Sequence, residues 1–292
     1  ETFTFNTNGT FRYPAKVTVP NTVTQITATT AGMQQHSEIE EIVYESGSPS
    51  SFRYFATSSF YNCTGLKKIA LPDSLIGFQG SAFSGCTALE DVVFAEGQTI
   101  TVSTNEFYNC NALKQLTFEN VLEHLASSQT QLGNGLFSQC RVITSATVPS
   151  QVTTVGSSVF MGCTALEYAE LPSVTAVNRT VFSNCTSLKT IVFGAIASGL
   201  GINETGSNNM FYNCTALEDV QIPEGWTTSM YLSNGTATYT NVLTHDSMVA
   251  MIAALYDFSG GTAHTLTLGA TNLARLSDEE KAAATAKNWT LA

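Results

Sequence analysis

Charge is scarce in this sequence: Asp, Glu, Lys and Arg make up 12% of its 292 residues, about half the usual share for a soluble domain. The 12 Lys and Arg residues form no cluster and the formal net charge is -11, which argues against nucleic acid or anionic lipid as a partner. No apolar run approaches the roughly 18 residues a membrane span needs, so this segment is not expected to insert into a membrane. Cys-x-x-Cys is absent, which removes the zinc-ribbon and thioredoxin readings. The seven cysteines are an odd number spread through a long chain, unlike a small disulfide-stapled domain. His-Glu-x-x-His, Gly-x-Ser-x-Gly and calcium-loop acidic spacings are also missing. The first residue is Glu1 rather than Met, so the chain reads as trimmed, with any signal or anchor segment outside it.

What is present is a polar palette of Ser, Thr, Asn, Gln and Gly around 43% hydrophobic residues, enough for a large core. Every cysteine falls in one phrase: Phe60-Tyr-Asn-Cys63, Phe83-Ser-Gly-Cys86, Phe107-Tyr-Asn-Cys110, Phe137-Ser-Gln-Cys140, Phe160-Met-Gly-Cys163, Phe182-Ser-Asn-Cys185 and Phe211-Tyr-Asn-Cys214. Successive cysteines lie 23, 24, 30, 23, 22 and 29 residues apart. Apolar residues follow at the third, sixth and eighth positions, as in Leu66, Ile69 and Leu71 or Leu166, Ala169 and Leu171, often with a proline next, as at Pro72 and Pro172. The sixth and eighth positions alternate as a short strand does, and proline stops the ladder. Pairs such as Leu75 and Phe78, or Val174 and Val177, turn inward again before the next Phe. One repeat cannot bury these groups alone, whereas stacked repeats align them into continuous ladders.

The unit extends backwards to Met33-Gln-Gln-His36, with Ile39, Ile42 and Tyr44 behind it, and Val17, Val19, Val23 and Ile26 suggest an earlier strand and return. Residues 1–32 read as an N-terminal cap or degenerate repeat, 33–226 as the repeat array, and 227–292 as atypical C-terminal repeats. In the last segment Asp246 to Tyr256 has helical spacing, Thr265 to Leu268 reads as a strand, Ser277-Asp-Glu-Glu280 is a capping-box signal, and Trp289 to Leu291 reads as a strand. The expected architecture is an α/β repeat solenoid, a right-handed superhelix with short parallel strands on its inner face. Its convex side is mostly irregular, and the C-terminal helices sit on that side as a cap.

The pattern Ala/Val-Phe-x-x-Cys-x-x-Leu-x-x-Ile-x-Ile/Leu-Pro resembles the BspA-like leucine-rich-repeat proteins, the class also found in Treponema surface proteins. The match runs over about residues 33–226 and departs from the pattern at Arg141-Val-Ile143 and in two long repeats. The stretch 266–273 with the acidic helix and Trp289-Thr-Leu is similar to a C-terminal module seen with such repeats in gut Firmicutes and prophage-encoded proteins. The resemblance implies a secreted or cell-surface bacterial protein that binds a host or bacterial surface protein or a glycan. It carries no catalytic residues and no cofactor. A prophage tail or virion recognition protein, or a glycan-active enzyme, are the alternatives.

Among residues that invite a sharper reading, the cysteines fit a ladder of small buried thiols better than a metal or redox centre. His36 fills a cysteine slot at the end of the array. Thr244-His245-Asp246-Ser247 has triad residue types, but neighbours at a helix start cap the helix rather than align a triad. Gly199-Leu-Gly201 lacks a third glycine in phase. The repeated Asn-Cys-Thr sequons at Asn62, Asn184 and Asn213 fit turn chemistry better than glycosylation.

A partner is expected on the outward strand positions, the fifth and seventh after each cysteine. Of these, Lys68, Asp91, Gln115, Tyr168, Glu170, Thr190, Asp219 and Gln221 are the candidate contacts, with Tyr168 as an aromatic in a polar groove. The interval from strand end to the next Phe, normally 11 to 13 residues, grows to 19 before Phe137 and 18 before Phe211. The loops at 119–136 and 194–210 are therefore expected to project from one side, a second candidate for recognition.

Overall fold

The structure is a computed structural model that describes residues 16–23, 34–45, 52–195, 208–232 and 241–292. Residues 1–15 of the expected cap, Ile26, Met33, Gly199, Gly201 and the middle of the 194–210 loop lie outside the described residues. The chain forms two compact units, Glu1–Ile143 and Thr144–Ala292.

In the first unit, strands numbered in chain order form a parallel row, β1 (Lys16–Val19), β2 (Glu41–Tyr44), β4 (Lys68–Ala70) and β6 (Asp91–Val93). Their central Val and Ile residues point inward, and the residues on either side point out, as a period of two demands. A second row holds β3 (Tyr54–Phe55) and β5 (Gly77–Phe78), followed by bridges from Gly77 to Thr101 and from Ile100 to Leu125. These are the apolar pairs that turn inward a second time. A short extended pair, β7 (Gln131–Leu132), precedes Phe137.

Between the rows the Phe rings stack face to face. Phe60, Phe83, Phe107 and Phe137 follow one another at 5.2, 5.5 and 5.6 Å between centroids. All four are fully buried, worth ~2–3 kcal/mol each against exposure. The residue before each cysteine is left-handed in every repeat: Asn62, Gly85, Asn109, Gln139, Gly162, Asn184 and Asn213 have φ between 56° and 79°. Asn and Gly tolerate that conformation best, which gives the Asn-Cys-Thr sequons a backbone reason. Gly85 is further constrained, since a Cβ there would lie 1.9 Å from Asn62 Oδ1.

After β6 the expected strand does not form. Residues Gln115–Glu123 make helix α1 instead. Phe118, Val121, Leu122 and Leu125 recur at helical spacing and are buried, while Leu116, expected inward on a strand, is 67% exposed. The 119–136 segment, expected to be a projecting loop, is the second half of this helix, the Leu125 bridge and β7. No proline follows Phe118 to stop the element, and the extra residues supply the length that a helical turn needs.

The second unit repeats the plan. Its row is β8 (Ser145–Thr147), β10 (Tyr168–Leu171), β12 (Thr190–Phe193) and β13 (Asp219–Gln221), all parallel. β9 (Thr154–Val155) and β11 (Ala176–Val177) pair in the second row. Phe160, Phe182 and Phe211 stack at 5.5 and 6.3 Å. The C-terminal part adds a parallel sheet of β14 (Met230–Tyr231), β15 (His264–Thr267) and β16 (Trp289–Leu291). Three helices accompany it, α2 (His245–Ala254), the single turn α3 (Ala270–Leu273) and α4 (Asp278–Ala286). The Ser277 capping box is formed, with Ser277 and Glu280 each satisfying the other's backbone N–H.

The expectation that the C-terminal helices lie on the convex side is corrected for α2. Lys189 N donates to Glu167 O, Glu218 N to Lys189 O, and Thr244 N to Glu218 O at 2.7 Å. Thr244 thus holds the slot that precedes each strand, and α2 begins where the next strand would, beside β13. Lys114, which donates to Glu90 O, stands in the same relation to α1.

Candidate functional site

The cysteine phrase comes first, because it gathers the most reactive side chains. All seven cysteines are free and buried. Each thiol of Cys86, Cys110, Cys185 and Cys214 donates to the carbonyl of the Phe one repeat earlier, Phe60, Phe83, Phe160 and Phe182, at 3.0 to 3.2 Å. Burial pushes the Cys214 thiol up to about 12, and pushes those of Cys86 and Cys185 well above their ordinary value. A protonated thiol is the form that can donate this bond, and it is a poor nucleophile and metal ligand. His36, in a cysteine slot, sets Nδ1 3.0 Å from Glu38 Oε1.

The Thr244–Ser247 stretch is also committed. Thr244 Oγ1 accepts from Ser247 N at 3.1 Å. Ser247 Oγ accepts from Val220 N at 2.9 Å and donates to Val220 O at 3.3 Å. His245 Nε2 lies 3.0 Å from Glu280 Oε1. These bonds cap α2 and dock it on β13, with no nucleophile left to activate. Among the described residues no group of three or more His, Cys, Asp or Glu side chains is placed to hold a metal ion.

The outward side chains of the first unit form an ionic ladder. Lys16 and Glu41 meet at 3.1 Å, and Lys68 stands in register between Glu41 and Asp91. One residue earlier in each repeat, Lys67 meets Glu40 at 2.8 Å, and Lys114 meets Glu90 at 2.8 Å and Asp91 at 2.9 Å. Rung by rung the signs alternate: Lys16, then Glu40 and Glu41, Lys67 and Lys68, Glu90 and Asp91, and Lys114. These charges cancel. Gln115 departs from its expected place in this file. It lies on α1, where Nε2 donates to Glu119 Oε1 at 2.8 Å. Sequence reasoning singled out Lys68 and Asp91 but missed the ladder, although the doublets Glu40-Glu41, Lys67-Lys68 and Glu90-Asp91 were its visible signal.

The second unit carries the other candidates. Register places Ser145, Tyr168, Thr190 and Asp219 in one file and Thr147, Glu170, Val192 and Gln221 in the next. Tyr168 Oη donates to Glu170 Oε2 at 3.3 Å, and Thr147 Oγ1 donates to the same oxygen at 3.5 Å. Partial desolvation and the Glu170 charge raise the Tyr168 pKa, which keeps the hydroxyl a donor. Gln221 Nε2 donates to Asp219 Oδ2 at 2.7 Å. Lys189 meets Glu167 at 2.8 Å.

Where β13 gives way to α2, the step from a strand to a wider helix opens a cleft of about 670 Å³. Thr190, Asp219 and Gln221 line it from the strands, and Thr244, Asp246, Ala250 and Met251 from the helix. Three of the expected contacts are thus brought together, with Tyr168 and Glu170 on the neighbouring strand β10. Lys68 and Asp91 belong to the first unit. The helix side of the cleft was not legible in the sequence, because Asp246 and Ala250 enter it only once α2 replaces a strand.

A family model described as the BspA type leucine rich repeat region matches residues 34–129 and 130–234, in six copies. No curated protein matches the chain. Among solved structures, a leucine rich repeat protein of T. pallidum is 22% identical, with a TM-score of 0.50 over 70% of this chain and 84% of that one. A leucine rich cell surface protein of Faecalibacterium prausnitzii is 19% identical over 83% of this chain and 82% of that one, with a TM-score of 0.36. The likeness of fold rests on the first of these.

Proposed function

The chain belongs to the BspA-type leucine-rich repeat family, and from that premise we propose that it is a non-catalytic, secreted or surface-attached binding module. It recognises a protein or glycan through the outward face of the strand row in the second unit. The observation that carries this reading is the division of labour between side chains. The Phe and Cys of the repeat phrase are buried and bonded within the stack, whereas Tyr168, Glu170, Thr190, Asp219 and Gln221 stand outward and lead into the cleft beside α2. An aromatic hydroxyl, two carboxylates and an amide on a rigid sheet make a surface suited to recognition. Support against catalysis comes from the buried, protonated thiols and from the commitment of Ser247 and His245 to structure. Among the described residues no helix is long and apolar enough to cross a membrane.

The test is a screen of the intact chain against a glycan array and an array of purified extracellular proteins, repeated with Tyr168→Ala. The expected outcome is a hit that Tyr168→Ala weakens about tenfold or more, a typical effect for a central aromatic contact. A hit indifferent to every outward substitution on the second unit would move the site elsewhere. Specific turnover of a ligand would overturn the non-catalytic reading.

A further inference from the structure

The residue after each repeat Phe follows a pattern that the stack does not impose. In the first unit this position holds Tyr61, Ser84, Tyr108 and Ser138 in turn. Tyr61 and Tyr108 are 37% and 39% exposed, whereas both serines are buried. The repeat spacing accommodates a ring at every step, as Phe60, Phe83, Phe107 and Phe137 show by stacking at 5.2 to 5.6 Å. Spacing alone therefore does not dictate a ring in every second repeat.

The two tyrosines are held in a fixed relation. Main-chain bonds cross this row from repeat to repeat: Gln35 N donates to Tyr61 O at 2.9 Å, and Asn62 N to Ser84 O at 2.8 Å. Gly85 N donates to Tyr108 O at 2.8 Å and Asn109 N to Ser138 O at 2.7 Å. Phe60, Phe83 and Phe107, one residue earlier in each repeat, advance by 5.2 and 5.5 Å. Tyr61 and Tyr108 thus belong to one face, two such steps apart.

Charge is missing from that face. Residues 56–65, 79–88 and 103–112, the turns that form it, hold a single charged side chain, Glu106, and it is buried. Asn62, Thr64, Thr87 and Asn109, all exposed or half-buried, supply its polar groups. Nucleic acid and charged peptides would find no counter-charge there. An apolar protein surface would cover these amides and hydroxyls without bonding them. A neutral glycan suits both features, since its C–H faces pack on aromatic rings and its hydroxyls donate to and accept from amides and hydroxyls. In an extended β-1,4-linked chain each sugar is turned over relative to the next, so equivalent faces recur every second sugar, a length that matches two repeat steps.

We propose that this face of the first unit binds an extended, neutral β-1,4-linked glycan, with Tyr61 and Tyr108 stacked on two sugars a disaccharide apart and Asn62 and Asn109 bonding hydroxyls beside them. It is a second surface, independent of the outward strand face of the second unit. Rings whose spacing is set before the ligand arrives lose little freedom on binding.

Isothermal titration calorimetry of the intact chain with cellohexaose, N-acetylchitohexaose and the α-linked maltohexaose tests this. We expect at least one β-linked hexasaccharide to bind, and maltohexaose not to. Tyr61→Ala and Tyr108→Ala should each weaken binding about tenfold or more, whereas Tyr54→Ala, a similarly exposed ring of the same unit, and Tyr168→Ala should change it less than about twofold. Tyr108→Phe, which keeps the ring, should retain binding, and far-ultraviolet circular dichroism checks that every variant is folded. No binding of either β-linked chain, equal binding of maltohexaose, or an equal loss in Tyr54→Ala would overturn the proposal. Loss in only one of Tyr61→Ala and Tyr108→Ala would overturn the paired arrangement. Binding lost in Tyr168→Ala and kept in both of those variants would overturn the proposal while supporting the reading of the second unit's face.

Discussion

At the scale of single residues, the repeat shows why a side chain is chosen by the bond it must make. The cysteine slot needs a small group that is apolar in bulk yet can donate one bond to the carbonyl of the preceding Phe, and a buried thiol does both. Among the described residues of the first unit, Glu106 is the one carboxylate that goes inside the stack. It is fully buried and accepts from Gly80 N and Ala82 N, both at 2.8 Å, and from Ser103 N at 3.1 Å. Burial raises its pKa above the ordinary 4.5, and the three N–H donors only partly offset this. With the folded pKa raised, the folded state binds the proton at higher pH than the unfolded state does. The contribution to stability is therefore full below the unfolded value and is lost as pH rises through the folded one. Glu106→Gln should flatten the stability of the first unit between pH 4.5 and neutrality. At pH 7 it should cost ~1–3 kcal/mol, because the amide nitrogen meets backbone donors it cannot accept from. Urea unfolding across that pH range checks both, and a curve parallel to that of the unsubstituted chain would show that Glu106 does not titrate there.

At the scale of elements, strands of three or four residues hold their register through cross-strand neighbours rather than through length. The alternating doublets of the first unit supply such neighbours: a strand that slipped past its neighbour by one repeat would face a rung of its own sign. Exposed ion pairs add little to stability individually, so the prediction concerns the sign pattern. Lys67→Glu with Lys68→Glu sets three acidic rungs side by side, and should lower the unfolding temperature by a few degrees in low salt and much less in 1 M NaCl. Adding Glu40→Lys and Glu41→Lys should recover part of the loss. Thermal melts read both, and a salt-independent loss would assign it to packing. Element identity itself was only partly legible. The strands after Cys63, Cys86, Cys140, Cys163, Cys185 and Cys214 follow from alternation, and the capping box announced α4. For residues 115–123 the alternating and helical patterns overlap at Phe118, and the helix prevails because Val121, Leu122 and Leu125 extend the buried face where a strand would have ended.

At the scale of the whole molecule, a net charge of -11 is spread unevenly. The first unit's strand row is neutral within itself, and the second leaves carboxylates unmatched around an open cleft. A surface of that sign repels polyanions. The intact chain should show no retention on heparin and no binding to phosphatidylserine vesicles at 150 mM salt, by column elution and flotation. Retention on either would contradict the charge distribution described above.

The buried phase of every repeat except the one after Cys110, where α1 turns Leu116 outward, was determined by the sequence alone. Phe, Cys and the three apolar positions after it recur in register, and a period of two leaves one arrangement that hides them from water. The outward positions of β4, β6, β8, β10, β12 and β13 follow from the same register. Which outward groups meet was decided only by the tertiary structure, since Lys114 finds Asp91, and Asp246 joins Asp219 around one cleft, across 22 or more residues of chain. The physical reason is that burial is a property of one strand and its pattern, whereas charge pairing and clefts depend on what the neighbouring repeat places at its side, a strand or the wider body of a helix.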